Sequence, residues 1–284
     1  MEQLKVNTIE FVKLDDVTPY LESVDREETG ADTFAWLEEN GDEIYAVRDK
    51  DTVVGLAIIV DDVEGFLYVY VFPAYRNKGY GKLVVDAAEQ RMRDALAETV
   101  HTLWLNGDEH VMRFAERYGY KRTHASAFMA YRGEPFPEEA LPVRHYRDED
   151  YPEAFALSAE AFHAMRLSSG WFPDSVVAQP SETSRKNWAE DAENEYVYVL
   201  DDEIVGHGWI DGTELDVVSI KIPQQGKGLG RKFVKYLTNR ILEKNEGEPT
   251  LWCVVGNDKA RALYDSLGYE EVCRNDFAVK KFSE

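Results

Sequence analysis

One short glycine-bearing segment occurs twice in this chain, at matching places in its two halves. The first copy reads Pro73-Ala74-Tyr75-Arg76-Asn77-Lys78-Gly79-Tyr80-Gly81-Lys82 and the second Pro223-Gln224-Gln225-Gly226-Lys227-Gly228-Leu229-Gly230-Arg231. Gly79 and Gly228 lie 149 residues apart, and each is followed 40 residues later by a Gly-Tyr pair, Gly119-Tyr120 and Gly268-Tyr269. An apolar, strand-like run precedes each copy and a helix-like run follows it. The chain is therefore two versions of one unit. A Gly-rich turn entering a helix presents unpaired backbone N–H groups. Glycine lets the backbone approach a ligand closely, and the helix dipole favours an anion there. The repeated segment is thus read as a grip for a phosphorylated cofactor.

The charge pattern supports that reading. The chain of 284 residues carries 32 Lys+Arg against 54 Asp+Glu, a formal net charge of −22. Yet Val217 to Arg240 contains Lys221, Lys227, Arg231, Lys232, Lys235 and Arg240 with no acidic residue, and Gly65 to Val85 contains Arg76, Lys78 and Lys82 with none. Two basic islands in so acidic a chain are best explained by a polyanion held at the loops. The bulk acidity argues against nucleic acid and anionic membranes as partners and leans toward a cationic acceptor such as an amine, although an acidic surface is also simply a soluble one. The N-terminal Met1-Glu2-Gln3-Leu4-Lys5 has no apolar signal core, and stretches such as Val53 to Val60 are strand-sized. A cytoplasmic protein without a membrane span is expected. Cys253 and Cys273 have no metal-ligand or redox spacing and are expected to be reduced core thiols, with no metal bound.

The period of the apolar residues gives the order of elements. Leu4–Val12, Glu43–Val47, Thr52–Val60 and Phe66–Phe72 read as strands, Asp15–Glu28 as a polar helix, and Gly81 to Met92 as an amphipathic helix. Gly133-Glu134-Pro135-Phe136-Pro137-Glu138-Glu139 is the mid-chain break. It divides an N-terminal domain, 1–133, from a C-terminal one, 141–284. The pattern then repeats, apart from an irregular segment from Leu167 to Ser184; strands cover Tyr196–Leu200, Ile204–Ile210, Leu215–Ile222 and Thr250–Val255, and helices follow Leu229 and Asp258. The expected fold class is α/β (α+β): two tandem units, each a mixed, mostly antiparallel sheet flanked by helices. Neither loop is followed by Gly-Lys-Ser or Gly-Lys-Thr, which excludes a Walker loop, and each follows a fourth strand rather than a first, which argues against a Rossmann fingerprint.

These residues resemble the GNAT superfamily of CoA-dependent N-acetyltransferases, whose loop motif is Arg or Gln, two residues, Gly, one residue, Gly or Ala. Arg76, Gly79 and Gly81 match it, as do Gln225, Gly228 and Gly230, and Asn257-Asp258-Lys259-Ala260-Arg261-Ala262-Leu263-Tyr264 resembles the family's second acetyl-CoA segment. The resemblance covers nearly the whole chain. It implies acetyl-CoA as co-substrate, held by Ile220, Ile222, Gln225, Gly226, Lys227, Gly228, Leu229, Gly230, Arg231, Asn257 and Ala260, with Arg76, Gly79 and Gly81 as the corresponding set in the first copy. It implies direct attack of a small-molecule primary amine on the thioester, with Tyr264 in the place of the family's general acid. Asn257 would position pantetheine or cap its helix. Glu214, eleven residues before Gln225, stands where some members carry a base; an ordinary turn acid is the competing reading, and Asp216, His207 and His163 are alternatives. Trp171 and Phe172 are either acceptor-pocket or core aromatics.

The first unit departs from this pattern. Ala115 stands at the tyrosine position, Asp108 at the asparagine position and Gly65 at the candidate base. The expectation is an N-acyltransferase whose C-terminal unit is catalytic and whose N-terminal unit is degenerate. The competing class is a non-catalytic, CoA-responsive binding or regulatory protein.

Overall fold

The structure, a computed structural model, describes residues 9–29, 44–244 and 247–282. The expected strand at Leu4–Val12 lies partly outside the described residues. Two compact units emerge. The first comprises Met1–Ala125 and Cys273–Glu284, the second Ser126–Val272. The closing strand of each unit thus comes from the other half of the chain.

The first half of the chain runs β1 (Ile9–Lys13), α1 (Thr18–Leu21), α2 (Arg26–Thr29), β2 (Ile44–Asp49), β3 (Thr52–Val60), β4 (Glu64–Val71), α3 (Tyr80–Asp94), β5 (Thr99–Leu105), α4 (Glu109–Arg117) and β6 (Lys121–Tyr131). The second runs β7 (Val143–His145), α5 (Tyr151–Ser169), α6 (Glu182–Glu190), β8 (Glu195–Leu200), β9 (Glu203–Asp211), β10 (Glu214–Ile220), α7 (Leu229–Lys244), β11 (Thr250–Val254), α8 (Asp258–Leu267) and β12 (Tyr269–Lys281). In the first unit β1 to β4 form an antiparallel meander, and β5 joins β4 in parallel. In the second unit β7 to β10 repeat the meander, and β11 joins β10 in parallel. The closing strands are exchanged. Asn275–Lys281 of β12 pairs antiparallel with β5, and Ser126–Ala130 of β6 pairs antiparallel with β11.

Each sheet is held by one amphipathic helix entering from its glycine loop. Phe233, Val234, Leu237 and Ile241 of α7, spaced for one helical face, are completely buried against Leu215, Ile220, Leu251 and Tyr269. In the first unit Val84, Ala88 and Met92 of α3 pack on Val54, Ala57, Leu67 and Val100. The opposite face of the second sheet is covered by α5, whose Ala154 and Leu157 pack on Val197 and Ile204.

Two expectations are corrected. Asp15–Glu28 is not one helix but two single turns, because Asp16 and Asp25 accept from the backbone N–H groups of Thr18 and Glu27 and divert the chain locally. The segment Leu167–Ser184 is not irregular throughout. Helix α5 runs to Ser169, where Gly170 ends it at φ +79°, and α6 begins at Glu182 with the Ser181 hydroxyl accepting from Ser184 N–H.

Candidate active site

The second glycine loop leaves β10 through a 3-10 turn, Ile222–Gln224. Gln225 hooks back, its Nε2 donating to the Ile220 carbonyl at 2.9 Å. Gly226 and Gly228 then take φ +75° and +84°, a conformation that requires glycine at little cost. A Cβ on either would meet nothing within 4 Å, so the space before them is open. The first intrahelical bond runs from Lys232 N–H to the Gly228 carbonyl. Among the described residues the N–H groups from Gly226 to Arg231 have no protein acceptor. This donor cradle at a helix N-terminus fits a pyrophosphate. The first loop repeats the geometry: Arg76 Nε donates to the Val71 carbonyl at 2.9 Å, and Asn77 and Gly79 take φ +58° and +86°.

The two loops differ in charge compensation. Arg76 is paired with Glu28 at 2.7 Å, Lys82 with Asp86 at 2.7 Å, and Lys78 donates to the Ala74 carbonyl. In the second loop Lys227 donates to the neutral Gln224 and Arg231 to the neutral Ser266, with no carboxylate partner among the described residues. In the second loop neither basic side chain pairs with a carboxylate among the described residues, whereas in the first only Lys78 lacks one.

Beyond the loop lies a cleft between β10 and β11. The two strands pair in parallel only at Glu214 and Thr250 and then diverge. Glu214 sits at the closed end of that cleft and the loop at its open end. A bulge between Leu215 and Val217 interrupts the β9–β10 ladder beside Glu214 and re-aims the strand. Burial, together with the neighbouring Asp216 and Asp211, pushes the Glu214 carboxyl up to about 7. Asp216, although exposed, is also raised, by partial desolvation of its carboxyl and by Asp211. A carboxylate poised near neutrality is suited to general-base work.

Asn257 and Tyr264 stand on the β11 side. Asn257 begins α8 but its side chain makes no capping bond. Its counterpart Asp108 does cap α4, accepting from His110 and Val111 N–H. The Asn257 carboxamide is thus left available, and capping is not its role. Tyr264 is half-buried against the core, its ring 5.9 Å from that of Tyr269. Its hydroxyl makes no hydrogen bond among the described residues. Burial, then Cys253 and Tyr269, raise its phenol further above the usual value, so it keeps its proton. Ile220 is buried in the core, whereas Ile222 is 45% exposed beside the loop. Leu263 faces Gly230 across the helix pair, 3.7 Å from where a Cβ would stand.

Of the alternative bases, Asp216 stands beside Glu214, while the two histidines are engaged elsewhere. His207 is completely buried and bonded on both ring nitrogens, and His163 Nδ1 contacts Ser175 Oγ at 3.1 Å. Trp171 donates its indole N–H to the Val255 carbonyl at 2.8 Å, tying the segment after α5 to the exit of β11. Neither this tie nor the bulge has a signal in residue spacing. In the first unit a Cβ on Gly65 would lie 2.8 Å from Met92 Cε and 2.9 Å from the Val60 carbonyl, so no acidic side chain fits there. Ala115 is buried where the second unit carries Tyr264.

Comparisons agree with this geometry. The profile of the GNAT family of acetyltransferases matches residues 10–120, and that of FR47-like proteins matches residues 208–278. A mycothiol acetyltransferase from Corynebacterium efficiens is 25% identical over 245 residues, covering 79% of this chain and 76% of its own. One from Kocuria rhizophila is 25% identical over 255 residues, covering 79% and 80%. A GCN5-related N-acetyltransferase from Sphaerobacter thermophilus shares the fold with TM-score 0.66 at 19% identity, over 96% of this chain and 95% of that one. A tandem GNAT protein from the clavulanic acid biosynthesis pathway does so with TM-score 0.60 at 16% identity, over 96% and 98%. The first half of the chain thus matches the GNAT family of acetyltransferases and the second half the FR47-like proteins, on the fold of a tandem GNAT protein.

Proposed function

We propose that the C-terminal unit transfers an acetyl group from acetyl-CoA to the primary amine of a small molecule, and that the N-terminal unit supports it without catalysing. The observation that carries this reading is the asymmetry of two otherwise matching clefts. One has Glu214 at the single β10–β11 ladder pair and Tyr264 on the helix after β11; the corresponding positions of the other hold Gly65 and Ala115. The relatives named for mycothiol acetylation favour a small polar acceptor.

In this mechanism the N–H groups of Gly226 to Arg231 hold the pyrophosphate, and Asn257 and the free edge of β10 line the pantetheine arm. Glu214, directly or through a water, takes a proton from the acceptor ammonium. The amine nitrogen then forms its bond to the thioester carbonyl carbon. Backbone N–H groups on the unpaired edge of β10 stabilise the developing oxyanion. As the C–S bond breaks, Tyr264 gives its proton to the departing thiolate and recovers one from solvent. The nitrogen loses its second proton to solvent as the amide forms, and Glu214 releases the proton it took; N-acetyl product, CoA thiol and one proton result, with no net change in the enzyme.

Titration calorimetry with acetyl-CoA tests the assignment. One site is expected, abolished by Gly228→Asp, which puts a carboxylate into the anion cradle, and retained in Gly79→Asp. Loss of binding in Gly79→Asp with retention in Gly228→Asp would move the site to the first unit.

A further inference from the structure

Beneath α5, four polar side chains from four elements share one sealed cluster. Ser158 of α5, Glu195 of β8, His207 of β9 and Ser219 of β10 are 7, 3, 0 and 4% exposed. Ser219 Oγ donates to the His207 carbonyl at 3.2 Å and lies 2.8 Å from Ser158 Oγ. Ser158 Oγ lies 2.8 Å from His207 Nδ1, and His207 Nε2 lies 2.5 Å from Glu195 Oε2. The set resembles a hydrolase triad in composition only, since Ser158 is sealed and its hydrogen is already committed within the cluster.

One arrangement of the protons satisfies all of these contacts together. A hydroxyl has one hydrogen to give. Ser219 gives its hydrogen to the His207 carbonyl, so its oxygen accepts from Ser158. Ser158 has then spent its own hydrogen and accepts from His207, so Nδ1 carries a proton. One further hydrogen must lie between Nε2 and Glu195. The pair therefore holds one proton more than a neutral imidazole and a carboxylate, and its net charge is zero.

The surroundings favour the same state. Without that proton a unit negative charge would be sealed from water, which is costly. The carboxyls that face Glu195 are those of Asp191, just before β8, and Asp216 on β10, and both raise it further. Asp191 is bonded only to the neutral Trp209 and Asn194, and neither acid is ion-paired among the described residues. The α6 side offers the neutral Trp188, stacked on the His207 ring at 4.2 Å, and the α5 side offers Ser158.

The cluster has a mechanical consequence for the loop. Ser219 immediately precedes Ile220, whose carbonyl accepts Gln225 Nε2, and Lys221 N–H donates to the Val205 carbonyl at 2.9 Å. We propose that His207 is a positioning residue for co-substrate binding: its Nδ1 donates to Ser158, and through Ser158 and Ser219 it fixes the end of β10 from which the second glycine loop springs. This rests on the reading that the second unit binds the co-substrate.

Two measurements test it. Nitrogen-15 NMR of the intact protein, with His207 assigned by its disappearance in His207→Gln, should show Nδ1 protonated at pH 7; a bare Nδ1 would overturn the proton assignment. Calorimetry with coenzyme A should show about tenfold weaker binding in Ser219→Ala, the scale of one hydrogen bond, and binding within about twofold of wild type in Glu195→Gln, whose amide can supply the same hydrogen to Nε2. Unchanged affinity in Ser219→Ala, a small substitution that leaves the fold in place, would overturn the positioning role. Wild-type protein that binds no coenzyme A would sink the function proposed above and this role with it, while the NMR result would still decide the proton assignment.

Discussion

Replacing Glu214 with glutamine separates its cost to the fold from its use to the reaction. The carboxyl is raised from its usual 4.5 to about 7, first by burial and then by Asp216 and Asp211. A carboxyl raised in the folded state contributes stability that is fully present below its unfolded value and is lost as pH rises through the folded value. The stability window is therefore pH 4.5 to about 7, and above it the ionised Glu214 weighs against the fold. At about 1.4 kcal/mol per pH unit the full effect would be about 3 kcal/mol. Glu214 is only half-buried, so solvent screening reduces this to roughly 1–2 kcal/mol. Urea unfolding at pH 5 and pH 8.5 reads it directly. Glu214→Gln should match wild type at pH 5 and exceed it by that amount at pH 8.5. The same variant should lose on the order of 10²–10⁴ in acetyl transfer and lose the rise in rate that wild type shows through about pH 7. A stability difference that is the same at both pH values would refute the argument about the site's electrostatics.

Three further outcomes are expected. Tyr264→Phe should lower turnover on the order of 10²–10⁴-fold with acetyl-CoA affinity unchanged by calorimetry, because the lost hydroxyl acts on the leaving group only. Cys253 is buried, which pushes its thiol up to about 11, so a thiol reagent at pH 8 should modify it only on unfolding; rapid labelling of native protein would contradict the packing of β11. The net charge of −22 repels itself across the surface, and the screening length falls from about 10 Å at 0.1 M salt to about 3 Å at 1 M. The thermal unfolding midpoint should therefore rise with sodium chloride over that range; a fall would mean that the surface ion pairs outweigh the repulsion.

The loops were legible in the sequence because their conformation restricts residue identity. Positive φ at Gly79, Gly226 and Gly228 is a local requirement, and local requirements leave a mark on the residues themselves. The same holds for α7, whose buried face repeats every three or four residues, and for the substitutions at Gly65 and Ala115, which the 149-residue offset exposes. The tandem family and its mixed, mostly antiparallel sheets followed from those marks. Helix α6 escaped because its sequence is polar, with no buried residue to set a period.

Other features depended on distant parts of the chain meeting. No spacing says that β6 closes on β11 and β12 on β5, because strand partners are chosen by packing and not by neighbourhood. Glu214 looks like a turn acid until β11 diverges from β10 and makes it the vertex of a cleft. Its raised acidity comes from burial and from Asp211 and Asp216 held near it by the fold. Likewise Ser158, Glu195, His207 and Ser219 lie far apart in sequence and meet only where four elements exclude water. By itself, the sequence determined the repeated loop, the family resemblance and which unit carries the glutamate and the tyrosine, since each rests on residue type at a fixed local position. The tertiary structure decided charge state, cleft shape and strand exchange, since electrostatic energy and packing depend on distances that the order of residues does not contain.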